Sequence, residues 1–329
     1  MYDLYGNQTT SFYGGNGEEI NTLFDINGTV VYEKVDIVPT PLEVVPSYFQ
    51  EDVVNAVGYV DTLGNDYANY VVVTDTHYSS NCGNSSNICN YLYGTGKFDK
   101  MIHLGDFLES GAIGSENWNA MIDADFCRYK KWIMTQGNHD SGIYPFSDAL
   151  PYFEANEVNY VSHNYHNGFY YDNKKHKIRF IGLHHMLYAN SAIRSEIEGF
   201  LNTMPNGYKW CFISHYPMLV NTEWVRTKCM SESAELWLKG LIDTYPNFIG
   251  VLSGHLHLDE HDVASTETKD FHHITLDADI LRNGNVGTNN EQVVTIVSIN
   301  PITENVKFYR IGRSITYESK QWEYMGFTK

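Results

Sequence analysis

Eight residues of this 329-residue chain invite a chemical reading first: Asp75, His77, Asp106, Asn138, His139, His215, His255 and His257. Each stands just after a short apolar run, in "YVVVTDTH", "KMIHLGD", "WIMTQGNHD", "WCFISH" and "IGVLSGHLH". Their side chains end in carboxylate oxygen, amide oxygen or imidazole nitrogen, and no thiolate is among them. That donor set suits Mn, Fe(II), Zn, Co or Ni, and ligand type alone does not choose among these. Any one cluster has an ordinary explanation, since Gly-Asn is a common turn and a lone histidine usually serves packing. Five clusters in succession do not.

The elements that would position these residues follow from the same runs. Runs of Val, Ile and Phe bounded by turn residues predict fully buried strands. Between them lie stretches with apolar residues three and four apart, such as Ile193, Ile197, Phe200 and Leu201, or Ala234, Trp237, Leu238 and Leu241, which predict amphipathic helices. Alternation of the two predicts an α/β fold, with helices covering sheets. Asp75 precedes Asp106 by 31 residues, and Asp106 precedes Asn138 by 32, about the length of one strand-helix-strand unit. Such spacing returns each cluster to the same sheet edge, where loops converge on ligands in α/β proteins. The tail, with "FHHITLDA", "QVVTIVSI" and "VKFYRIG", predicts consecutive strands forming hairpins that close one sheet. Residues 1–60 are Gly- and Asn-rich at the start and without strong period, and are expected to form an N-terminal extension before a catalytic domain over 61–329.

In order, "DTH" at 75–77, "GD" at 105–106, "GNHD" at 137–140, "SHYP" with His215 and "GHLH" at 254–257 resemble the motif series of the calcineurin-like metallophosphoesterases. The resemblance implies a four-layer α/β/β/α sandwich with two divalent metal ions at the strand ends. It assigns Asp75, His77 and His257 to one ion and Asn138, His215 and His255 to the other, with Asp106 bridging both. His139 would contact the phosphoryl group or leaving oxygen, and Asp140 would orient its ring. The implied reaction is hydrolysis of a small phosphomonoester or phosphodiester by a metal-activated hydroxide. One departure stands out: Glu109 occupies the position where purple acid phosphatases of this wider group carry a metal-binding tyrosine.

Composition narrows the partners. The formal charge of −18 repels phosphate backbones and makes nucleic acid an unlikely partner. No apolar run reaches the roughly 18 residues of a membrane span, and "MYDLYGNQTT" lacks the pattern of a signal peptide. The compartment stays open at this level, with a cytoplasmic location slightly favoured. Five cysteines without a CxxC pair give no disulfide framework, although Cys82 and Cys89 flank one polar loop. The pairs His184/His185 and His272/His273 are expected to alternate between strand faces rather than line the site. Two rival readings remain at this level: a scaffold that keeps the fold with an idle site, and a nuclease of the same superfamily. The complete ligand set argues against the first, and the acidity against the second.

Overall fold

The computed structural model describes residues 40–78, 84–123, 132–143, 148–149, 158–160, 168–184, 190–219, 226–280, 285, 287–313 and 321–324, with four short strands before them. Contacts divide the chain into two compact units, Met1–Pro39 and Thr40–Lys329. Within the first, β1 (Phe12–Tyr13) pairs with β2 (Glu19–Ile20), and β3 (Thr22–Phe24) with β4 (Val30–Glu33), both antiparallel. Residues 40–60, which the sequence reading placed with the extension, belong to the larger unit. There α1 (Ser47–Thr62) buries a helical stripe of Phe49, Val53, Ala56 and Val60.

The larger unit holds two sheets. The first runs β17 (Gln321–Tyr324), β16 (Asn305–Gly312), β15 (Val293–Asn300), β5 (Ala68–Val73), β6 (Lys100–His103) and β7 (Trp132–Met134) in spatial order. The second runs β13 (Glu260–Ser265), β14 (Asp270–Thr275), β12 (Phe248–Ser253), β11 (Lys209–Ile213), β10 (Ile178–Leu183), β9 (Gly168–Asn173) and β8 (Val158–Tyr160). Strands β5, β6 and β7 are parallel, as are β10, β11, β12 and β14, and the remaining pairs are antiparallel. Residues of β5, β6, β10 and β12 are buried throughout, the pattern of parallel strands covered on both faces.

Three apolar clusters define the layers. One side of the first sheet (Val71, Met101, Trp132, Ile296) packs on α1, on α2 (Asn84–Gly94) through Ile88 and Leu92, and on α3 (Glu116–Asp123) through Trp118 and Met121. Its other side (Tyr70, Val72, Ile102, Ile133) meets Phe180, Cys211 and Ile249 of the second sheet. The far side of that sheet (Ile181, Trp210, Phe212, Val251) packs on α4 (Ser191–Asn202) and α5 (Glu232–Thr244). The order is helices, sheet, sheet, helices, as the family resemblance implied. Each buried aliphatic side chain at these faces contributes on the order of 1.5–3 kcal/mol.

The two amphipathic helices start where their sequences supply caps. Asn190 accepts from the Ala192 and Ile193 amides at 3.0 and 3.3 Å, and Ser231 from the Ala234 amide at 3.3 Å. The tail differs from expectation. Only β15–β17 join the first sheet, while β14 lies parallel to β12 in the second. The chain passes between sheets beside the strand ends: the Leu276 amide bonds the Ser253 carbonyl, and the Asp279 amide bonds the Thr74 carbonyl. A parallel partner cannot be a hairpin neighbour, so strand count alone did not reveal this crossing. Among the described residues, no helix is long and apolar enough to cross a membrane.

Candidate metal centre

Three parallel strands of the first sheet and two of the second deliver the sequence-predicted residues to one place: β5 to Asp75 and His77, β6 to Asp106, β7 to Asn138 and His139, β11 to His215, β12 to His255 and His257. Backbone bonds hold the strand ends together. The amides of Asp75 and His77 donate to the carbonyls of Gly105 and Asp106, at 2.9 and 3.0 Å, and the Gly254 amide donates to the His215 carbonyl at 3.1 Å. The two sheets are tied where the His255 amide donates to Asp75 Oδ2 at 2.8 Å.

The chain turns abruptly to make this edge. Asp75, His77, Asp106, His255 and His257 all have positive φ, between 43° and 70°. For non-glycine residues this costs of order 1–3 kcal/mol each, and such strain collects at functional sites. Two motif glycines have a steric reason. A Cβ at Gly137 would lie 2.1 Å from Asp106 Oδ1, and one at Gly254 would lie 1.9 Å from Thr74 Oγ1 and 2.6 Å from Asp75 Oδ2.

Ligand-type atoms from Asp75, Asp106, His215 and His255 lie within 4.8 Å of one another, as do those from Asp75, His77 and His257. His257 Nε2 is 3.1 Å from Asp75 Oδ1 and 3.4 Å from His77 Nε2. On the other side, His215 Nε2 lies 3.1 Å from Asp106 Oδ2, 3.2 Å from Asn138 Oδ1 and 3.2 Å from His255 Nδ1. Asp106 Oδ2 is also 3.9 Å from His77 Nε2, so it faces both groups.

The surrounding contacts aim these atoms inward. His215 Nδ1 donates to the Leu104 carbonyl at 2.9 Å, which turns Nε2 to the cluster. Thr74 Oγ1 donates to Asp75 Oδ2 at 2.6 Å. His77 Nδ1 faces the Glu109 carboxylate at 3.1 Å. His139 Nδ1 donates to the Glu109 carbonyl at 2.8 Å, and its ring stands edge-on to His77 at 4.6 Å. Asp140, expected to orient the His139 ring, does something else. It is fully buried, and its two oxygens accept from the amides of Phe107, Leu108 and Gly137, at 3.4, 3.1 and 2.9 Å. It joins the "GD" and "GNHD" turns, while Glu109 holds both histidines. An acid three residues after Asp106 was visible in the sequence, but residue type alone said nothing of its two contacts.

Replacing Asp140 by asparagine should therefore lower the melting temperature of the metal-free protein. The amide group places a donor against a backbone donor and leaves a buried group unpaired, at about 1–3 kcal/mol. A melting temperature unchanged by D140N would contradict this role.

The charges in the cluster set its protonation. Burial would depress His215, but the Asp75 charge and the Asp106 bond and charge outweigh it and push the imidazole up to about 9. Burial and the charge of His215 push His255 down to about 3. Asp75, raised by burial, is held well below the usual carboxylate range by His215, His257 and Thr74. Burial and the Asp106 charge push Asp140 up to about 7, against its amide bonds.

His215 gives a signed pH expectation. Its folded value lies above the free imidazole value of about 6.5, so its stabilisation is full below about 6.5 and is lost as pH rises through about 9. The metal-free protein should lose thermal stability between pH 7 and 10. The increment from saturating divalent metal should grow over the same range, because the ion no longer competes with that proton. Melting curves with chelator and with Mn²⁺ at each pH measure both, and an increment that shrinks with pH would contradict the assignment.

The donor set fits a cation. One N–H at His215 Nε2 cannot serve three acceptors, and the lone pairs of Asp106, Asn138 and His255 converge on it. A positive ion satisfies all of them at once. The thiols of Cys89, Cys211 and Cys229 are buried and form no disulfide, and none belongs to these ligand groups; Cys82 lies outside the described residues.

Residues 68–259, more than half of the chain, match the family model of the calcineurin-like phosphoesterases. The chain belongs to that family. Among solved structures, this chain is similar to a dimetal phosphatase from Danio rerio, at 11% identity and TM-score 0.49, covering 78% of this chain and 98% of that one. It is also similar to a purple acid phosphatase from yellow lupin (Lupinus luteus) seeds, at 12% identity and TM-score 0.49, covering 78% and 53%. Vps29 from Chaetomium thermophilum is similar at 10% identity and TM-score 0.35, covering 80% and 97%. No curated protein matches the chain.

The other histidines flagged in the sequence have structural partners. His184 Nδ1 accepts from the Gln136 amide, His272 Nε2 donates to the Glu304 carbonyl and His273 Nε2 accepts from the Met218 amide. All three are buried, because both faces of their strands are covered. His185 lies outside the described residues, as does 79–83 of the loop following His77.

Proposed function

We propose that this phosphoesterase hydrolyses a small phosphomonoester or phosphodiester with two divalent ions bound at the strand edge. The observation that carries the reading is the convergence of oxygen and nitrogen ligand atoms around His215 and around Asp75, beside an exposed histidine fixed by its Nδ1. Asp75, His77 and His257 would hold one ion, Asn138, His215 and His255 the other, and Asp106 would contact both. When bound, such a pair lowers the pKa of water and neutralises phosphoryl oxygens.

The chain's own residues do the rest. The Glu109 carbonyl accepts a hydrogen bond from Nδ1 of His139 and leaves Nε2 to meet a phosphoryl or leaving-group oxygen, to which the protonated ring would donate. The Glu109 carboxylate turns His77 Nε2 inward, and Asp140 fixes the two turns that carry Asp106 and Asn138. The net charge of −18 favours small substrates over nucleic acid.

Metal-stripped protein reconstituted separately with Mn, Fe(II), Zn, Co and Ni should be assayed on phosphomonoesters, phosphodiesters and nucleotides. Hydrolysis that appears only on reconstitution supports the reading. Fully metallated protein inert towards every ester would support the scaffold reading instead.

A further inference from the structure

The histidines of the proposed centre are not all held in the same way. His215 is fixed through Nδ1 by a hydrogen bond to the Leu104 carbonyl, and His77 Nδ1 lies 3.1 Å from the Glu109 carboxylate. His255 turns its Nδ1 toward the cluster, 3.2 Å from His215 Nε2, so its distal atom is Nε2. That atom is buried and has no hydrogen-bond partner among the described residues. Metal-binding imidazoles almost always donate from the distal nitrogen to fix ring and tautomer, and here that device is missing.

An aromatic ring lies against the His255 ring instead. The Tyr216 ring lies 4.1 Å from the His255 ring, centroid to centroid and inclined by 36°, and meets the His215 ring edge-on at 5.5 Å and 89°. Tyr216 is itself held on both sides. Its carbonyl accepts from Ser214 Oγ at 2.6 Å. The residue after it is Pro217, whose ring disfavours helical backbone at Tyr216, and the Pro217 carbonyl accepts from the Met230 amide at 2.8 Å.

We propose that Tyr216 is the positioning residue of His255: ring against ring contact, rather than a hydrogen bond at Nε2, holds this imidazole in the orientation that presents Nδ1 to the metal. The inference rests on the metal-binding reading above. It assigns a role to the third residue of "SHYP" and distinguishes the two ion sites, since the Tyr216 ring lies against His215 and His255, both of one site. The part played by Tyr216 depends on its ring and not on its hydroxyl.

Calorimetric titration of the metal-stripped full chain with Mn²⁺ tests this, with thermal unfolding of the metal-free variants as a control. The wild type should bind two equivalents. In Tyr216→Leu one step should weaken by about 10–100-fold, the usual cost of losing an outer partner of a metal ligand. The other step should stay within about threefold, the scale of an ordinary surface substitution. Tyr216→Phe should leave both steps within that range. Equal weakening of both steps in Tyr216→Leu, or no weakening at all, overturns the proposal. So does Tyr216→Phe binding as poorly as Tyr216→Leu. Should Tyr216→Leu fail to fold, Tyr216→Phe and Tyr216→Trp carry the test, and loss of one metal step in both overturns it. A wild-type chain that binds no Mn²⁺ sinks the metal reading and this inference together; two normal steps in Tyr216→Leu sink only the inference.

Discussion

Asp106→Asn should strip metal from the protein and lower hydrolysis by more than about 10²-fold, since even outer partners of metal ligands cost 10–100-fold. The reason lies in the two oxygens of this side chain. Oδ1 accepts from the His139 amide at 2.7 Å, and an asparagine oxygen preserves that bond. Oδ2 faces His215 Nε2 at 3.1 Å and His77 Nε2 at 3.9 Å. Asparagine replaces that oxygen with an NH₂ group, which offers protons where lone pairs are needed and removes the charge that would lie between the two proposed cations. The variant should nonetheless fold, because the turn it stabilises keeps its hydrogen bond and one buried charge is gone. Metal analysis, a melting curve and turnover on the same preparation separate these effects. Folded D106N with full metal content and activity within a few-fold of the parent would show that the bridge is misassigned.

His139→Ala should behave in the opposite sense towards metal. The side chain is exposed and its Nδ1 is spent on the Glu109 carbonyl, so truncation removes no ligand from either group. Metal content and melting temperature should stay close to the parent, while turnover falls roughly 10²–10⁴-fold, the range for losing a positioned proton donor or acceptor. The Asp106 carboxylate still accepts from the backbone amide of residue 139, which the substitution leaves in place. Loss of metal from H139A would make His139 a ligand and would require a different division of the cluster.

Much of this arrangement was legible in the chain itself. The runs ending in Asp75, Asp106, Asn138, His215 and His255 read as strands because burial on both faces leaves almost no polar residue until the last position. Helices α4 and α5 were visible in their periodicity, and their caps fell at Asn190 and Ser231. What sequence could not supply was contact between segments far apart. The crossing of the tail from β14 to β15 depends on which sheet has a free edge. The role of Asp140 is to accept three amides, from Phe107, Leu108 and Gly137, that no pattern of residue types announces. Glu109 and Tyr216 likewise owe their importance to geometry: a carboxylate and carbonyl that reach two histidines, and a ring lying against one.

The central claim is that two divalent ions sit at this strand edge and share Asp106, and anomalous X-ray scattering from crystals grown with Mn²⁺ tests it most directly. The expected result is two peaks roughly 3.5–4 Å apart, the spacing of two-metal hydrolytic sites. Both should be within bonding distance of Asp106, one beside Asp75, His77 and His257 and the other beside Asn138, His215 and His255. A single well-occupied peak in metal-replete crystals, with Asn138 and His215 turned away from it, would contradict the account.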